Sequence, residues 1–278
     1  MTHQEFLRRP ENRARYWARS FYGWPRFSAT RPNAAHYALA ELEERGWVHG
    51  LITQNVDRLH SAAGSREVIE LHGSSHRVTC LGCGATSPRT AVQSTLERLN
   101  PAAAAHSAAL AALPLDAARE RQAELRIGSS SDAMKVAVSL PAAAPSAGSA
   151  PMQRPDGDVE LADAGVGFRV PPCPDCGGVL KPDVVFFGDN IPQERKDRAA
   201  AMAASADLLL VVGSSLAVYS AFRLVEAGAR AGAALAVVNV GPTRADALAS
   251  IKVEARAGEV LARLARHPDL LLPRLALA

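Results

Sequence analysis

The sequence predicts an α/β fold in which a Rossmann-like parallel sheet carries a small second domain built around four cysteines. Three observations lead to this prediction. Strand-like apolar runs alternate with helical segments after residue 179, which is typical of parallel sheets. Several runs end in polar or glycine-rich loops, and the cysteines fall into two Cys-x-x-Cys pairs. With 278 residues, 48% of them hydrophobic, the chain can bury a sizeable core.

The first 48 residues are expected to form helices. Aromatic residues are frequent between Tyr16 and Phe27, and ordinary core packing is the expected reason for them. Residues 33–45 show the apolar spacing of an amphipathic helix. A helical region is therefore predicted to precede the first strand.

Two short apolar runs follow this helical region. Residues 48–53 enter a polar string that begins at Gln54, and residues 67–71 end at His72. Runs of this length with polar ends are typical of buried strands. Both are therefore predicted to be strands that end in polar loops.

The last hundred residues alternate between strand-like and helical patterns. The predicted segments are strand 184–187, helix 193–204, strand 208–212, helix 221–231, strand 234–240, strand 251–253 and helix 258–266. Because strands separated by helices usually lie parallel, this order predicts a parallel sheet.

The four cysteines predict a metal site. Cys80 and Cys83 form one pair, and Cys173 and Cys176 form the other. Two thiolates on each tight turn can meet one tetrahedral ion, and four thiolates close its shell, so we expect a structural zinc ion. A thioredoxin-like redox pair and unpaired buried thiols are the alternatives.

A low-complexity segment lies between the two cysteine pairs. Residues from about 102 to 164 are rich in Ala, Ser and Pro and poor in aromatic residues, which predicts a partly disordered insertion. We expect residues 1–73 and 179–266 to form one discontinuous nucleotide-binding domain. Residues 74–178 would form the small zinc-binding domain, and 267–278 a tail.

Charge and hydropathy exclude some functions. The formal net charge is +3, from 31 basic and 28 acidic residues, and no long Lys/Arg run predicts a nucleic-acid partner. The first ten residues have no apolar signal core, and no uninterrupted apolar run reaches membrane-spanning length. We expect a cytoplasmic protein without nucleic-acid or membrane partners.

Polar residues at strand ends form the candidate ligand site, because open α/β sheets bind ligands at the carboxyl ends of their strands. The candidates are Gln54, Asn55, Val56 and Asp57 after one strand, Gly213, Ser214 and Ser215 after a second, and Asn239, Val240 and Gly241 after a third. Taken singly these signals are weak. Gly-Ser-Ser is a common loop, and Asn239 next to Gly241 equally suits a turn.

His72 is the candidate general base. It stands between an apolar run and Gly73, and the pKa of an imidazole lies close to neutral pH. A histidine with a purely structural role is the alternative, since single histidines more often have one.

Taken together, these motifs resemble the sirtuin family in content and order. The matching strings are Thr53–Asp57 with Leu59-His60, Leu71–Gly73, the two cysteine pairs, Lys181–Asp189, Gly213–Leu216 and Asn239–Gly241. The stretches around Tyr16-Trp17 and Gly241–Arg244 look most like the class II branch. The resemblance implies an NAD-dependent protein-lysine deacylase, which transfers the acyl group from lysine to ADP-ribose and releases nicotinamide.

The resemblance also implies roles for individual residues. His72 would activate a ribose hydroxyl, and the polar strand ends listed above would hold NAD. Ala257 would lie on the adenine side, where the class II pattern carries a cysteine. Residues 185–188 would pair with an extended acyl-lysine peptide through main-chain hydrogen bonds.

One part of the family pattern is not found in the sequence. Sirtuins open with a strand that leads into a Gly-Ala-Gly loop, and no such motif precedes Arg15. We therefore expect the sheet to lack its first central strand, and NAD pyrophosphate binding and activity to be weakened. An upstream start codon or a gene remnant would explain this departure.

Two other functions remain open at this point. One is a catalytically inactive, zinc-stabilised module that binds acyl-lysine, and the other is NAD-dependent mono-ADP-ribosyl transfer. The same NAD pocket and the same His72 would serve a deacylase and an ADP-ribosyltransferase.

Overall fold

A computed structural model describes residues 1–111 and 165–271. Its helices and one short 3₁₀ turn alternate with strands along most of these two ranges. The helices are α1 His3–Arg8, α2 Pro10–Ala29, α3 Ala34–Glu44, α4 Leu59–Ala62, α5 Arg89–Leu99, α6 Pro101–Ala111, α7 Gln193–Ala204, α8 Tyr219–Arg230, α9 Ala257–Leu264 and α10 Pro268–Leu271, with the 3₁₀ turn at Asp246–Leu248.

The strands separate into parallel and antiparallel sets. They are β1 Leu51–Thr53, β2 Val68–Glu70, β3 Gly73–Cys80, β4 Thr86–Pro88, β5 Leu180–Val184, β6 Leu208–Val212, β7 Ala234–Val238 and β8 Ile251–Val253. Strands β1 and β2 form a parallel pair, and β6, β7 and β8 form a parallel sheet in that order. Strands β4, β3 and β5 form an antiparallel sheet.

Helix α3 confirms the predicted amphipathic helix and shows why it starts where it does. The Asn33 side chain accepts hydrogen bonds from the backbone N–H groups of Ala35 and His36. This cap satisfies two amides that have no partner inside the helix. The buried face, which includes Leu39 and Leu42, then packs against α9.

The two parallel sheets share their covering helices. Ile69 of β2 and Val237 of β7 belong to one apolar cluster, which also contains Ala199 of α7 and Val225 of α8. On the other side, α3 and α9 cover β1 and β6. The predicted α/β architecture is thus confirmed. Within the described ranges β1–β2 and β6–β7–β8 are separate sheets, and no strand joins β1 to β6.

One predicted strand is wrong in position and in direction. Residues 184–187 were expected to start the parallel sheet, but the strand is β5, which pairs antiparallel with β3. The pairing continues one residue past β5, where the Val185 N–H donates to the His72 carbonyl, and the chain then turns, with the Asp189 N–H donating to the Phe186 carbonyl. Strand β3 itself was not predicted.

The first helices pack on the antiparallel sheet. Phe6 of α1 and Trp17 and Phe21 of α2 are fully buried in one cluster with Val78 of β3 and Leu96 of α5. The Trp17 indole N–H also donates to the Leu180 carbonyl at 3.1 Å. The aromatic residues of the first 30 positions therefore serve core packing, as predicted.

The start of the predicted insertion is helical. Residues 101–111 form helix α6, because this stretch is rich in alanine, the strongest helix former. The rest of the predicted insertion, residues 112–164, lies outside the described residues. In the part of the chain that the structure covers, no helix is long and apolar enough to cross a membrane.

A glycine allows α8 to lie close against β6 and α7. A Cβ atom on Gly228 would lie 2.3 Å from the Leu209 Cδ1 atom and 2.8 Å from the Ala203 carbonyl oxygen. Neither distance is compatible with ordinary packing. The helix backbone can therefore approach the sheet this closely only because position 228 has no side chain.

We expect Gly228→Ala to lower the free energy of unfolding by about 1–3 kcal/mol through overpacking, although alanine normally favours a helix. Gly258→Ala in α9 is the matched control, because no atom lies within 4 Å of its added Cβ. The control should be neutral or stabilising by up to about 1 kcal/mol. Urea unfolding measures both, and equal effects would contradict the close-packing explanation.

Candidate active site and candidate metal centre

The ends of three parallel strands meet through hydrogen bonds between their loops. The Gln54 side-chain amide donates to the Ser214 hydroxyl at 2.9 Å. The Gly213 N–H donates to the Val238 carbonyl at 2.9 Å, which joins the ends of β6 and β7. The structure thus brings the loops after β1, β6 and β7 together at one edge, as expected for a ligand crevice in an α/β fold.

His72 lies where the chain passes from β2 to β3. The next residue, Gly73, has a φ of +83°, and a Cβ there would lie 1.9 Å from the Asp183 carbonyl oxygen. Only glycine fits this position. The turn brings the imidazole of His72 to Gln54 and Ser220: Nδ1 lies 3.3 Å from the Gln54 carbonyl oxygen and Nε2 lies 3.2 Å from the Ser220 hydroxyl.

The surroundings of His72 favour its neutral form. Burial lowers the pKa of His72, and the positive charge of Arg195 lowers it further, while the hydrogen bond to the Gln54 carbonyl acts in the opposite direction. A carbonyl oxygen can only accept, so Nδ1 carries the proton and Nε2 has a free lone pair. A neutral imidazole with an accessible lone pair is a competent general base.

The loop before α8 contains a strained residue. Leu216 has a φ of +54°, which is unusual for a residue with a branched side chain. Its side chain is buried, and its N–H donates to the Ser214 hydroxyl at 3.1 Å. Strain of this kind is frequent at functional sites, where surrounding contacts hold the backbone in place.

The third loop is organised by Asn239. Its buried side-chain amide donates to the carbonyl groups of Val240 and Gly241, at 3.0 and 3.2 Å. The turn-forming function of this residue is therefore present in the structure. Gly241 has a φ of +85°, and half of the Val240 side chain is exposed.

The polar string after β1 faces several directions. Val56 is buried against Trp24 and Phe27, while Asn55 is exposed. The Asp57 carboxylate accepts a hydrogen bond from the Leu59 N–H at 3.0 Å, which fixes the start of α4. Ala257, proposed for the adenine side, packs with the cluster that α3 and α9 share. Val56, Asp57 and Ala257 thus make their contacts in three different parts of the fold.

Two imidazoles face each other beside Asp57. The ring centroids of His36 and His60 lie 4.6 Å apart, and in the described part of the chain the Nδ1 atom of His60 has no hydrogen-bond partner. Burial and the neighbouring His36 together lower the pKa of His60 to about 4, against the Asp57 carboxylate, which acts in the opposite direction. Burial also lowers the pKa of His36.

The four predicted cysteine ligands lie together. All four sulfur atoms are within 4.8 Å of one another, although Cys80 and Cys83 are separated from the other pair by about 90 positions. The Sγ atoms of Cys80 and Cys176 are 3.4 Å apart, and those of Cys83 and Cys173 are 3.9 Å apart. Such spacing suits a single tetrahedral ion with metal–sulfur bonds of about 2.3 Å.

The backbone around the sulfur atoms is shaped to receive a metal. The N–H groups of Gly82 and Gly178 point at Cys80 and Cys176, each 3.3 Å from sulfur. A Cβ at Gly178 would lie 2.8 Å from the Cys80 sulfur. Backbone hydrogen bonds from Cys83 and Gly82 lower the pKa of the Cys80 thiol to about 6. The Gly178 N–H lowers the pKa of Cys176, but the neighbouring Cys80 and Cys83 outweigh it and raise that pKa to about 12. The four cysteines could therefore hold a metal ion.

The segment predicted to pair with a peptide already has partners of its own. The Val185 N–H is bonded to the His72 carbonyl, and the Phe187 carbonyl accepts the His3 N–H at 3.0 Å. Thr2 and Phe187 form a parallel β-bridge, and the His3 imidazole lies 3.1 Å from the Asp189 carboxylate. The Phe187 side chain is 77% exposed next to these contacts.

Ser220 and Arg195 were not predicted from the sequence, although both lie next to His72. Ser220 is in the first turn of α8, and Arg195 is in the first turn of α7, where its guanidinium lies 3.6 Å from the Asp183 carboxylate. Neither belongs to a motif. The one sequence signal is that Ser220 follows the Gly-Ser-Ser loop by five positions.

The fold and the site define the chain as a Rossmann-like α/β protein with a cysteine-clustered module. The Sir2 family model matches residues 1–220. An NAD-dependent protein deacetylase of Xanthomonas campestris pv. campestris (strain 8004) is 48% identical over 270 residues, which cover 97% of this chain and 78% of that protein. The chain belongs to the Sir2 family, the sirtuins.

Other relatives and solved structures support the same family membership. The NAD-dependent protein deacylase Sirt4 of Drosophila melanogaster is 43% identical over 263 residues, which cover 94% of this chain and 70% of that protein. A structure described as Sir2Tm bound to a propionylated peptide aligns with a TM-score of 0.64 and 28% identity, over 95% of this chain and 81% of that one. A structure described as Sir2-p53 peptide-NAD+ has a TM-score of 0.60 and 28% identity, over 88% and 73%.

The pair of His36 and His60 predicts acid sensitivity of the fold. The pKa of His60 is about 4 in the folded chain against an ordinary value of 6.5, so the unfolded chain binds more protons between these values. The contribution of the neutral His60 ring to the free energy of unfolding is therefore fully present above pH 6.5, and it is lost as the pH falls from 6.5 towards 4.

We expect His60→Gln to reduce the loss of unfolding free energy between pH 7 and pH 5, as measured by urea unfolding at both values. His49→Gln is the control, because this imidazole is exposed. A His60→Gln variant with the same pH dependence as the parent chain would contradict the prediction.

Proposed function

We propose that the protein is an NAD-dependent protein-lysine deacylase, which transfers an acyl group from lysine to ADP-ribose and releases nicotinamide. The observation that carries the proposal is the position of the His72 imidazole: Nδ1 contacts the Gln54 carbonyl after β1, and the Gln54 side chain in turn bonds Ser214 in the loop after β6. The names of the relatives, NAD-dependent protein deacetylase or deacylase, support it.

The residues of the crevice have the chemistry that a dinucleotide needs. The amide of Gln54 and the hydroxyl groups of Ser214 and Ser215 can hydrogen-bond ribose and phosphate oxygens, and a Cβ at Gly213 would meet open space. We propose that Asn239 and Gly241 hold the adenosine side through the turn they form. Asn55 and Asp57, with the backbone of Val56, would complete the nicotinamide side, and Val240 and Ala257 the adenosine side.

NAD supplies the ribose that accepts the acyl group and the nicotinamide that leaves. The part of His72 is to take a proton from a ribose hydroxyl at Nε2, while Nδ1 stays bonded to the Gln54 carbonyl. The Asp57 carboxylate places a negative charge near the cationic nicotinamide ring.

We propose that an extended acyl-lysine segment lies along residues 185–188. Main-chain groups of this stretch that are not used by His72 and His3 would pair with it, which gives affinity with little dependence on side chains. The exposed ring of Phe187 would lie against the peptide. Solved sirtuin structures with bound peptides support a peptide substrate.

We also propose that Cys80, Cys83, Cys173 and Cys176 hold one structural zinc ion. The distances between their sulfur atoms and the glycine backbone around them support this. Free thiols suit a reducing compartment, so we place the protein in the cytoplasm. The division into domains 1–73 with 179–266 and 74–178 is part of the same proposal.

The proposed reaction is tested by nicotinamide release from NAD with acetyl-lysine and longer acyl-lysine peptides. Turnover should require peptide, and His72→Ala should lower kcat by about 100-fold or more, since general bases contribute 10²–10⁴-fold. His49→Ala is the control and should keep full activity. Equal turnover by the His72→Ala variant, or release that is independent of peptide, would refute the proposal.

The metal site is tested by Cys176→Ser with Ser94→Ala as control, because Ser94 is an exposed residue of α5 in the same domain. Metal analysis should find about one zinc per chain in the parent and the control, and almost none in Cys176→Ser. The melting temperature of the cysteine variant should fall by about 5 °C or more. An unchanged zinc content would contradict the four-cysteine site.

A further inference from the structure

We propose that Ser220 is a positioning residue that holds the His72 imidazole in the orientation and tautomer required of the base. The inference rests on the proposed function of His72. The inference is based on the 3.2 Å distance between the Ser220 hydroxyl and Nε2 of His72, the nitrogen that would take the proton.

The direction of this hydrogen bond follows from the other side of the ring. The Gln54 carbonyl, 3.3 Å from Nδ1, has no hydrogen to donate, so Nδ1 carries the proton of the neutral imidazole. Nε2 then has only a lone pair, and the Ser220 hydroxyl must donate to it. A protonated Nε2 would instead donate to the same hydroxyl oxygen, because a hydroxyl can also accept, so the contact orients the ring in both protonation states.

Ser220 is held in place by the loop that precedes it. The Ser214 hydroxyl accepts hydrogen bonds from the Gln54 side-chain amide and from the Leu216 N–H. The loop that leads into α8 is therefore bonded to Gln54, whose carbonyl contacts Nδ1 of His72. The positive φ of Leu216 directs the chain into α8, with Ser220 in its first turn. Both nitrogen atoms of His72 are therefore held by one connected piece of structure.

The charged groups facing His72 do not replace this contact. Arg195 of α7 is the charged side chain that affects His72 most, and its guanidinium lies 3.6 Å from the carboxylate of Asp183 on β5. Arg195 disfavours the protonated ring but offers no hydrogen bond that would orient it. During the reaction the ribose hydroxyl would take the place of the serine at Nε2, and Ser220 would transfer no proton itself.

The first experiment follows the titration of His72 by NMR in the parent chain and in Ser220→Ala, with His72→Gln used to assign the signal. Removing the hydroxyl should lower the pKa of His72 by about 0.5, because the protonated ring loses the stronger, charge-assisted hydrogen bond. Ser220→Thr keeps a hydroxyl and should leave it close to the parent value. Ser205→Ala is the matched control, because the Ser205 hydroxyl bonds to the Met202 carbonyl at the end of α7.

The kinetic readout should separate positioning from substrate binding. For Ser220→Ala we expect kcat to fall about 3- to 10-fold and KM values for NAD and peptide to stay within about two-fold. The acid limb of the kcat/KM profile, which reports the free enzyme, should move to lower pH. Ser220→Thr should restore most of kcat. A variant with reduced stability but the parent pH profile would show a purely structural serine and overturn the inference.

A second pair of variants covers the case in which Ser220→Ala does not fold. Thr and Val have the same shape, so Ser220→Thr and Ser220→Val differ only in the hydroxyl group. The same pKa of His72 in both would overturn the inference. The NMR titration does not depend on enzymatic turnover. If the parent chain released no nicotinamide in the presence of peptide, the proposed function would be refuted, but the titration would still decide whether Ser220 positions His72.

Discussion

The approach of Gly73 to the carbonyl of Asp183 is the constraint on which the site depends. At this point the chain leaves the parallel strand β2 and enters β3, which runs antiparallel to β5. A side chain at position 73 would collide with the backbone of β5. Because the two strands meet so closely, the Val185 N–H can reach the His72 carbonyl, and the proposed base lies directly beside the proposed peptide segment.

Local sequence patterns predicted much of the fold because local physics decides those elements. Helix 193–204 and strands 208–212 and 251–253 have the predicted bounds, since apolar periodicity and flanking polar residues mark them. Strand β3 was missed, and the strand near residue 184 was wrongly placed in the parallel sheet. Their pairing depends on contacts across about 100 positions, which no local pattern contains.

The same distinction between local patterns and tertiary contacts applies to the residues of the site. Motif order was enough to predict the four cysteines that cluster and the strand-end loops that meet, because these residues stand in strings with recognisable chemistry. The contact between His72 and Ser220 could not be predicted, since a serine in a helix is ordinary until the fold brings an imidazole to it. The facing rings of His36 and His60 are a tertiary feature of the same kind.

The antiparallel sheet links the metal centre to the proposed base. Strand β3 begins at Gly73, next to His72, and ends at Cys80, while β5 begins four residues after Cys176 and ends beside the proposed peptide segment. An ion that fixes the four sulfur atoms would hold one end of this pair of strands, and the Gly73 contact with Asp183 holds the other. A closed four-thiolate shell has no open coordination position for substrate, so the ion would act on catalysis by keeping β3 and β5 in register. The position of His72 relative to the peptide segment is then a property of the whole antiparallel sheet, including its far end.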